Sequence, residues 1–415
     1  VLLRKIWMIQ GETTGPNAGG MVGIGAGAFT SIDSDSLSDF TVLFGKQEEW
    51  RMFQGRKPAP DTTPIWKMSK ATGFPQSPVL GHFLTAQSTF IVFGQDTCDN
   101  NHICFFRLLF FAVGEGKIAD SPSISLNTGI QFCPRGVFAC DMDNDGDDEL
   151  ILTRSCSYPE VWFYEGGSNF TTSSPTMKLG DPDNNSSGLS NHSTVIADVD
   201  GDQRLDMVTG AGYGGNPKLK IWYGRQGSPW NWTPTPDRVI HLTNDIGLNT
   251  SLICADYDGD AKLDFAGTVY TPPNQGIYLY LSNRGKDFRT RSFSLNDADR
   301  MMKTSRYRTY ARIGSLNDSS KRSEMLMINY PGYDRFDGSE LLAFSGGLDG
   351  PDNQYEAYYS TESDGVGRGK AFAQMHPLLD CNGDGWGDFL TANFQWGGFD
   401  QGIAVILAGG PYIPH

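Results

Sequence analysis

The chain has 415 residues, 48 of them acidic and 33 basic, and a formal net charge of −15. An excess of this sign repels polyanionic backbones, so nucleic acid is excluded as a partner. No apolar run approaches the roughly 18 residues of a membrane-spanning helix, so no membrane segment is expected.

The chain opens on LLRKIWMI (2–9), an apolar strand that precedes any repeated pattern. SIDSDSLSDFTVLFG (31–45) follows, an acidic loop feeding a strand rich in β-branched and aromatic residues. LGHFLTAQSTFIVFG (80–94) has the same apolar tail but no acidic residue before it. The acidic loop reads as deleted here, which predicts a short hairpin and lifts His82 high onto the innermost strand. GQDTCDNNH ends at His102, where a third strand begins, so the two histidines are expected to converge at one mouth. The competing reading is one core histidine and one turn histidine. Cys98 and Cys104 bracket that turn and are expected to pair, and Cys133 and Cys156 form a second candidate pair. Cys140, Cys254 and Cys381 read as buried thiols on inner strands.

From there the chain repeats itself. DMDNDGDDE (141–149), DVDGDQRLD (198–206), DYDGDAKLD (256–264) and DCNGDGWGD (380–388) share one pattern. It is Asp-x-(Asp/Asn)-(Gly/Asn)-Asp-x-x-x-(Asp/Glu). Side-chain oxygens at positions one, three, five and nine, with a backbone carbonyl near seven, suit a hard cation of high coordination number, calcium first. The candidate ligands are Asp141, Asp143, Asp145 and Glu149; Asp198, Asp200, Asp202 and Asp206; Asp256, Asp258, Asp260 and Asp264; and Asp380, Asn382, Asp384 and Asp388. About four structural Ca2+ sites follow. An EF-hand would end its loop later and between helices; here each loop runs into a strand such as ELILT or LDFAG. A solvated acidic loop is the plain alternative, and recurrence argues against it.

The spacing of these loops is about 58 residues, with one interval doubled between Asp256 and Asp380. SLNDSSKRSEMLMI (315–328) lies where the hidden copy belongs, with most ligands lost. Each unit has a small apolar strand before the loop, such as GVFAC or STVIA, and a second strand after it. A third is aromatic (EVWFYEGG, KLKIWYGR, GIYLYLSN), and a fourth is more polar (DRVIHLT, FRTRSFSL). The fold class is therefore all-β: one seven-bladed β-propeller over 1–415, with four-stranded antiparallel blades and the calcium loops between first and second strands. The last unit has only three strands, so the N-terminal strand is expected to supply the fourth and close the ring.

All these loops fall on one face, which leaves ligand chemistry for the other. Second-to-third turns and first-strand starts there contribute Arg154, Tyr158, Tyr213, Asn216, Lys218, Tyr270, Tyr330, Tyr333, Arg335, Trp396, Arg135 and His192. The set suits a uronate: an arginine offsets its carboxylate, and a histidine takes the C5 proton and returns one to the leaving oxygen. That chemistry is β-elimination. Gly-x-Ser-x-Gly and Ser-x-Asp-x-Gly boxes are absent.

The loop with its following strand resembles the FG-GAP or VCBS repeat of integrin α-chain propellers and fungal propeller lectins. More closely, the chain resembles the secreted fungal L-rhamnose-α-1,4-D-glucuronate lyases that trim gum arabic. The resemblance implies a calcium-bearing propeller with a working histidine pair, His82 and His102 here. Arg154, then Arg135 and Arg335, are the candidates for carboxylate neutralisation. It implies a polysaccharide lyase, monomeric, acting on a plant-type acidic polysaccharide or arabinogalactan glycan. The runner-up is a calcium-dependent propeller lectin, which would repeat equivalent sugar-binding residues from blade to blade; the mouth residues here differ between units. Sequons at Asn169, Asn184, Asn185, Asn191, Asn231, Asn249 and Asn317 point to a secreted, extracellular glycoprotein. No signal peptide is present, as expected of a mature chain.

Overall fold

The computed structural model describes residues 4–10, 22–29, 31–33, 35–44, 49–69, 78–98, 104–131, 134–154, 160–170, 174–180, 194–211, 218–241, 252–269, 274, 276–282, 288–303, 308–314, 324–330, 340–344, 351, 354–355, 357–360, 372–393 and 403–410. Their strands form seven antiparallel sheets. In chain order the blades span 22–69, 79–131, 134–180, 194–241, 252–303, 308–360 and 372–408. Within each, the first strand is innermost and the fourth outermost. Thus Val79–Gly81 of blade two touches Pro134–Cys140 of blade three. Leu252–Ala255 touches Thr194–Ala197 on one side and Arg308–Gly314 on the other. The seventh sheet has three strands of its own, and its fourth is Arg4–Gln10, paired with Ile403–Ala408. Helix among the described residues is confined to two 3-10 turns, and no helix is long and apolar enough to cross a membrane.

The residue pattern follows the radius. Middle strands are covered on both faces, and Asp264–Val269 and Gly276–Tyr280 are buried throughout. They read as continuous apolar runs for that reason. The outer strand Trp66–Ser69 alternates buried and exposed side chains, the period of a half-covered strand. Apolar side chains interlock between blades as well as within them. Phe90, Val92 and Phe110 of blade two share a cluster with Leu150, Leu152 and Trp162 of blade three. Equivalent clusters join blades three and four, four and five, five and six, seven and one, and one and two.

Two local expectations are corrected. FRTRSFSL is not the fourth strand of blade five; Arg300–Lys303 is. Phe288 and Phe293 instead turn inward, edge-on to Phe265 at 5.6 and 5.4 Å. Arg291, buried beside them, donates to the carbonyls of Leu281 and Asp297 and to Asp299. A strand could not place those three groups on one side.

The second correction concerns blade two. Gly81 lies opposite Phe90, a register spacing equal to that of Cys140 with Glu149, Ala197 with Asp206 and Ala255 with Asp264. The loop was not deleted: it kept its length and lost its carboxylates. His82, Leu84, Ala86 and Phe90 stand at positions one, three, five and nine. What survives is the apolar anchor at position two. Phe83 is fully buried, as are or nearly are Met142, Val199, Tyr257, Cys381 and Ile32 at the same position elsewhere.

Candidate metal-binding loops and the opposite mouth

Each acidic loop is built on the same backbone. The amide after position one donates to the position-nine carboxylate: Met142 to Glu149 (2.7 Å), Val199 to Asp206 (2.8 Å), Tyr257 to Asp264 (2.9 Å) and Cys381 to Asp388 (3.0 Å). The amide of position five donates back to position one: Asp145 to Asp141, Asp202 to Asp198 and Asp260 to Asp256, all at 3.1 Å, and Asp384 to Asp380 at 3.3 Å. Closing so tight a loop needs left-handed backbone twice, at positions four and six. Asn144 and Gly146, Gly201 and Gln203, Gly259 and Ala261, and Gly383 and Gly385 all have positive φ.

Ala261, at φ 66°, is the costliest of these because its Cβ meets the following carbonyl without a polar side chain to compensate. Ala261→Gly is therefore expected to stabilise the protein by about 1 kcal/mol, read from denaturant unfolding. An unchanged or lowered midpoint would show that the loop carries no strain there.

Three loops bring carboxylate oxygens within 4.8 Å of one another: Asp141, Asp143 and Glu149; Asp198, Asp200 and Asp206; Asp256, Asp258 and Asp260. Such all-oxygen, multiply charged sets could hold a metal ion and are compatible with calcium. Asp145, Asp202 and Asp264 belong to the same loops but lie outside those tight groups. Asp380, Asn382, Asp384 and Asp388 make the fourth loop, in which the Asn382 amide lies 3.4 Å from Asp388. The position-nine acids are buried, and burial raises Glu149 to about 8, Asp206 and Asp264 to about 7 and Asp388 to about 6. A nearby cation would favour their ionised forms.

Blade one carries the same loop in disguise. The Ile32 amide donates to the Asp39 carboxylate at 2.6 Å, and the Asp35 amide donates to the Ser31 hydroxyl oxygen at 2.8 Å, so Ser31 stands where the others have aspartate.

The loops also fasten neighbouring blades. The Asp148 amide donates to the His82 carbonyl at 2.9 Å, and the His82 amide donates to the Asp148 carboxylate at 2.6 Å. Ser38 and Asp380 repeat the first of these bonds between blades one and seven, at 2.9 Å. At position three, Asp143 accepts from the Trp230 indole at 2.9 Å and Asp200 from Arg289 at 2.6 Å, each donor coming from the next blade.

These contacts settle where His82 lies. It sits at the acidic-loop end, its Nδ1 3.4 Å from Asp148, half exposed. Strand Thr89–Cys98 then runs the full length of the blade to the connection that contains His102. The expected convergence of His82 with His102 at one mouth is therefore corrected. The loop's retained length holds His82 at the opposite end of that strand. His102 itself lies outside the described residues, as do Tyr158, His192, Tyr213, Asn216, Tyr270, Tyr333, Arg335 and Trp396.

The remaining mouth residues occupy strand ends away from the acidic loops. Arg154 ends its strand opposite Pro134, next to Arg135, whose neighbourhood is bulged. Tyr330 ends its strand opposite Arg308, and Lys218 begins one opposite Ala211. Cys98 and Cys104 form the last rung of their ladder, and their side chains lie outside the described ones. Cys133 and Cys156 lie outside the described residues. Cys140, Cys254 and Cys381 are free; Cys381 alone of the three is fully covered, and its thiol donates to Asp388. Sequence reasoning missed the inter-blade donors Trp230 and Arg289. Nothing in their local sequence marks them, because each acts on a loop from the preceding blade.

Comparison with known proteins agrees with this geometry. Residues 141–209 match the FG-GAP-like repeat. No curated protein matches the chain significantly. Among solved structures, the chain is similar to one in BBS1N in complex with ARL6DN, at 7% identity and TM-score 0.53, covering 98% of each. It is also similar to a chain of an active polycomb repressive complex 2 in the basal state, at 8% identity and TM-score 0.51, covering 83% of this chain and 70% of that one. Likeness at such identity speaks to the fold alone. The chain is a seven-bladed β-propeller whose residues 141–209 carry the FG-GAP-like repeat.

Proposed function

We propose that the protein is a secreted polysaccharide lyase that cleaves a glycosidic bond to glucuronate by β-elimination. Its proposed substrate is rhamnose linked α-1,4 to glucuronate at the ends of a plant-type, arabinogalactan glycan. The observation that supports this reading is the division of the molecule into two faces. Acidic loops gather at one end of the blades. The strand ends of Arg135 and Arg154 in blade three, and the connection between Cys98 and Cys104 in adjoining blade two, belong to the other.

On this reading Arg154, with Arg135 and Arg335 behind it, binds the uronate carboxylate by paired hydrogen bonds and stabilises the charge that grows there. His102 takes the C5 proton, the C–H electrons form the C4–C5 double bond, and the C4–O bond breaks. The same imidazole returns its proton to the departing oxygen. His192, Tyr158, Tyr213, Tyr270, Tyr330, Tyr333 and Trp396 orient the sugars. His82 has no part in this chemistry, since its contacts are with Asp148. Calcium is the group proposed for the loops, held by the position-one, -three, -five and -nine side chains, where it supplies positive charge that braces the fold. Asn169 and Asn231, both exposed, are open to the glycosylation that a secreted protein would carry.

The test is incubation with rhamnosyl-glucuronate glycans, following the ultraviolet absorbance of an unsaturated uronate. His102→Ala is expected to lower turnover by roughly 10²- to 10⁴-fold with unchanged folding. A variant that keeps most of its activity would remove His102 from the role of base. Sugar binding without unsaturated product would replace the lyase by a lectin.

A further inference from the structure

The acidic loops are alike in backbone but not in what their neighbours bring to them. In blade three the position-three carboxylate, Asp143, accepts from the indole of Trp230, a neutral donor. In blade four the same position receives a full positive charge. Arg289 donates to one oxygen of Asp200 through Nε at 2.6 Å and through a terminal nitrogen at 2.5 Å. That nitrogen is also 3.7 Å from Asp202. The Asp200 side chain is 2% exposed, so this pair is shielded from solvent on its acidic side. The guanidinium also lies over the Tyr223 ring, 4.6 Å from its centre. Arg204 adds a second cation 3.5 Å from Asp202. Blade three shows the contrast: within Asp141 to Glu149 lie six carboxylates and no basic residue.

We propose that Arg289 is a built-in counter-ion for the blade-four loop, making that loop weaker toward a divalent cation than the blade-three loop. The proposal rests on the reading of these loops as calcium sites. A guanidinium and a divalent ion drawn to the same carboxylates repel each other strongly at such short range. Charge already balanced by Arg289 is charge the ion does not gain. The pair also spans two blades, so blade four stays tied to blade five whether or not its loop holds metal. Arg289 is a positioning residue here; it touches no substrate.

The experiment is calorimetric titration of chelator-stripped protein with Ca2+, using the parent, Arg289→Gln, Asp198→Asn and the double variant. The parent is expected to show tight sites and one weaker event, and Asp198→Asn to abolish the weaker event. Arg289→Gln is expected to tighten it by roughly tenfold or more, and to change nothing in the Asp198→Asn background. Arg289→Lys should leave it weak, because the charge remains. If Asp198→Asn fails to fold, the Gln and Lys variants decide alone. Equal sites in the parent, or a weak event that Arg289→Gln leaves untouched, would overturn the proposal. Absence of Ca2+ binding at every loop would instead overturn the calcium reading beneath it.

Discussion

Removing divalent cations is expected to lower the melting temperature sharply, and more at pH 8 than at pH 5. An ion that binds only the folded state stabilises it by about 2.7 kcal/mol per site when present at 100 times its dissociation constant. Several sites together would exceed the effect of nearly any single substitution. The pH dependence follows from the buried acids. In metal-free protein burial lifts Glu149 to about 8 and Asp206 and Asp264 to about 7, above the ordinary carboxylate range. An acid whose folded pKa is raised holds its proton more tightly folded than unfolded. Its contribution is therefore fully present below the unfolded value and lost as pH rises through the folded one. Melting of stripped protein, buffered from pH 5 to 8 with and without added Ca2+, checks both parts. A curve that is flat in pH, or insensitive to metal, would refute the link between these carboxyls and the ion.

Trp7→Ala is expected to cost about 3–5 kcal/mol, the range for emptying a large aromatic site. Trp7 is 4% exposed and stands edge-on to Phe40 at 5.0 Å and Phe53 at 5.2 Å, both in blade one. Its indole donates to the Asp61 carbonyl at 3.1 Å. Because its strand pairs with Ile403–Ala408 of blade seven, the one side chain fastens blade one to blade seven. Deleting residues 1–9 should be worse still, exposing the Ile403–Ala408 edge as well. Denaturant unfolding monitored by circular dichroism checks both. A truncated chain that unfolds at the parental midpoint would show that the ring closes without this strand.

Much of the architecture was legible because its signals are local. Spaced aspartates mark a loop by themselves, and continuous apolar runs mark strands covered on both faces. Blade two shows the limit of that approach. Absence of carboxylates in residues 82–90 reads as absence of a loop, although Phe83 anchors one of normal length. The acids serve the ion, whereas the length serves the packing of position two, and only the first leaves a composition signal. FRTRSFSL failed for a related reason. Its alternation suits a strand, but Arg291 finds carbonyls from two other segments, a tertiary gain that local pattern does not contain. The blade-one loop was legible despite its substitution, because its other acids remain; the Ser31 hydroxyl takes the hydrogen bond that an aspartate takes elsewhere. The mouth is legible only through alignment of the repeats, and one hairpin's length decides which face His82 belongs to.

The clusters that straddle blade boundaries have a consequence for how the molecule comes apart. In an open stack of repeats the end units have one neighbour each, need polar caps, and fray first. A closed ring has no end unit. Leu150 and Trp162 lean on Phe90 and Phe110, as Trp7 and Ile406 lean on Phe40 and Phe53, and clusters of this kind cross six of the blade boundaries among the described residues, from blade seven through blade one to blade six. Damage to one blade therefore weakens the blades that share its clusters, and unfolding is expected to spread from blade to blade across them. Such a protein should persist intact and then fail all at once, with no half-molecule surviving partway through the transition.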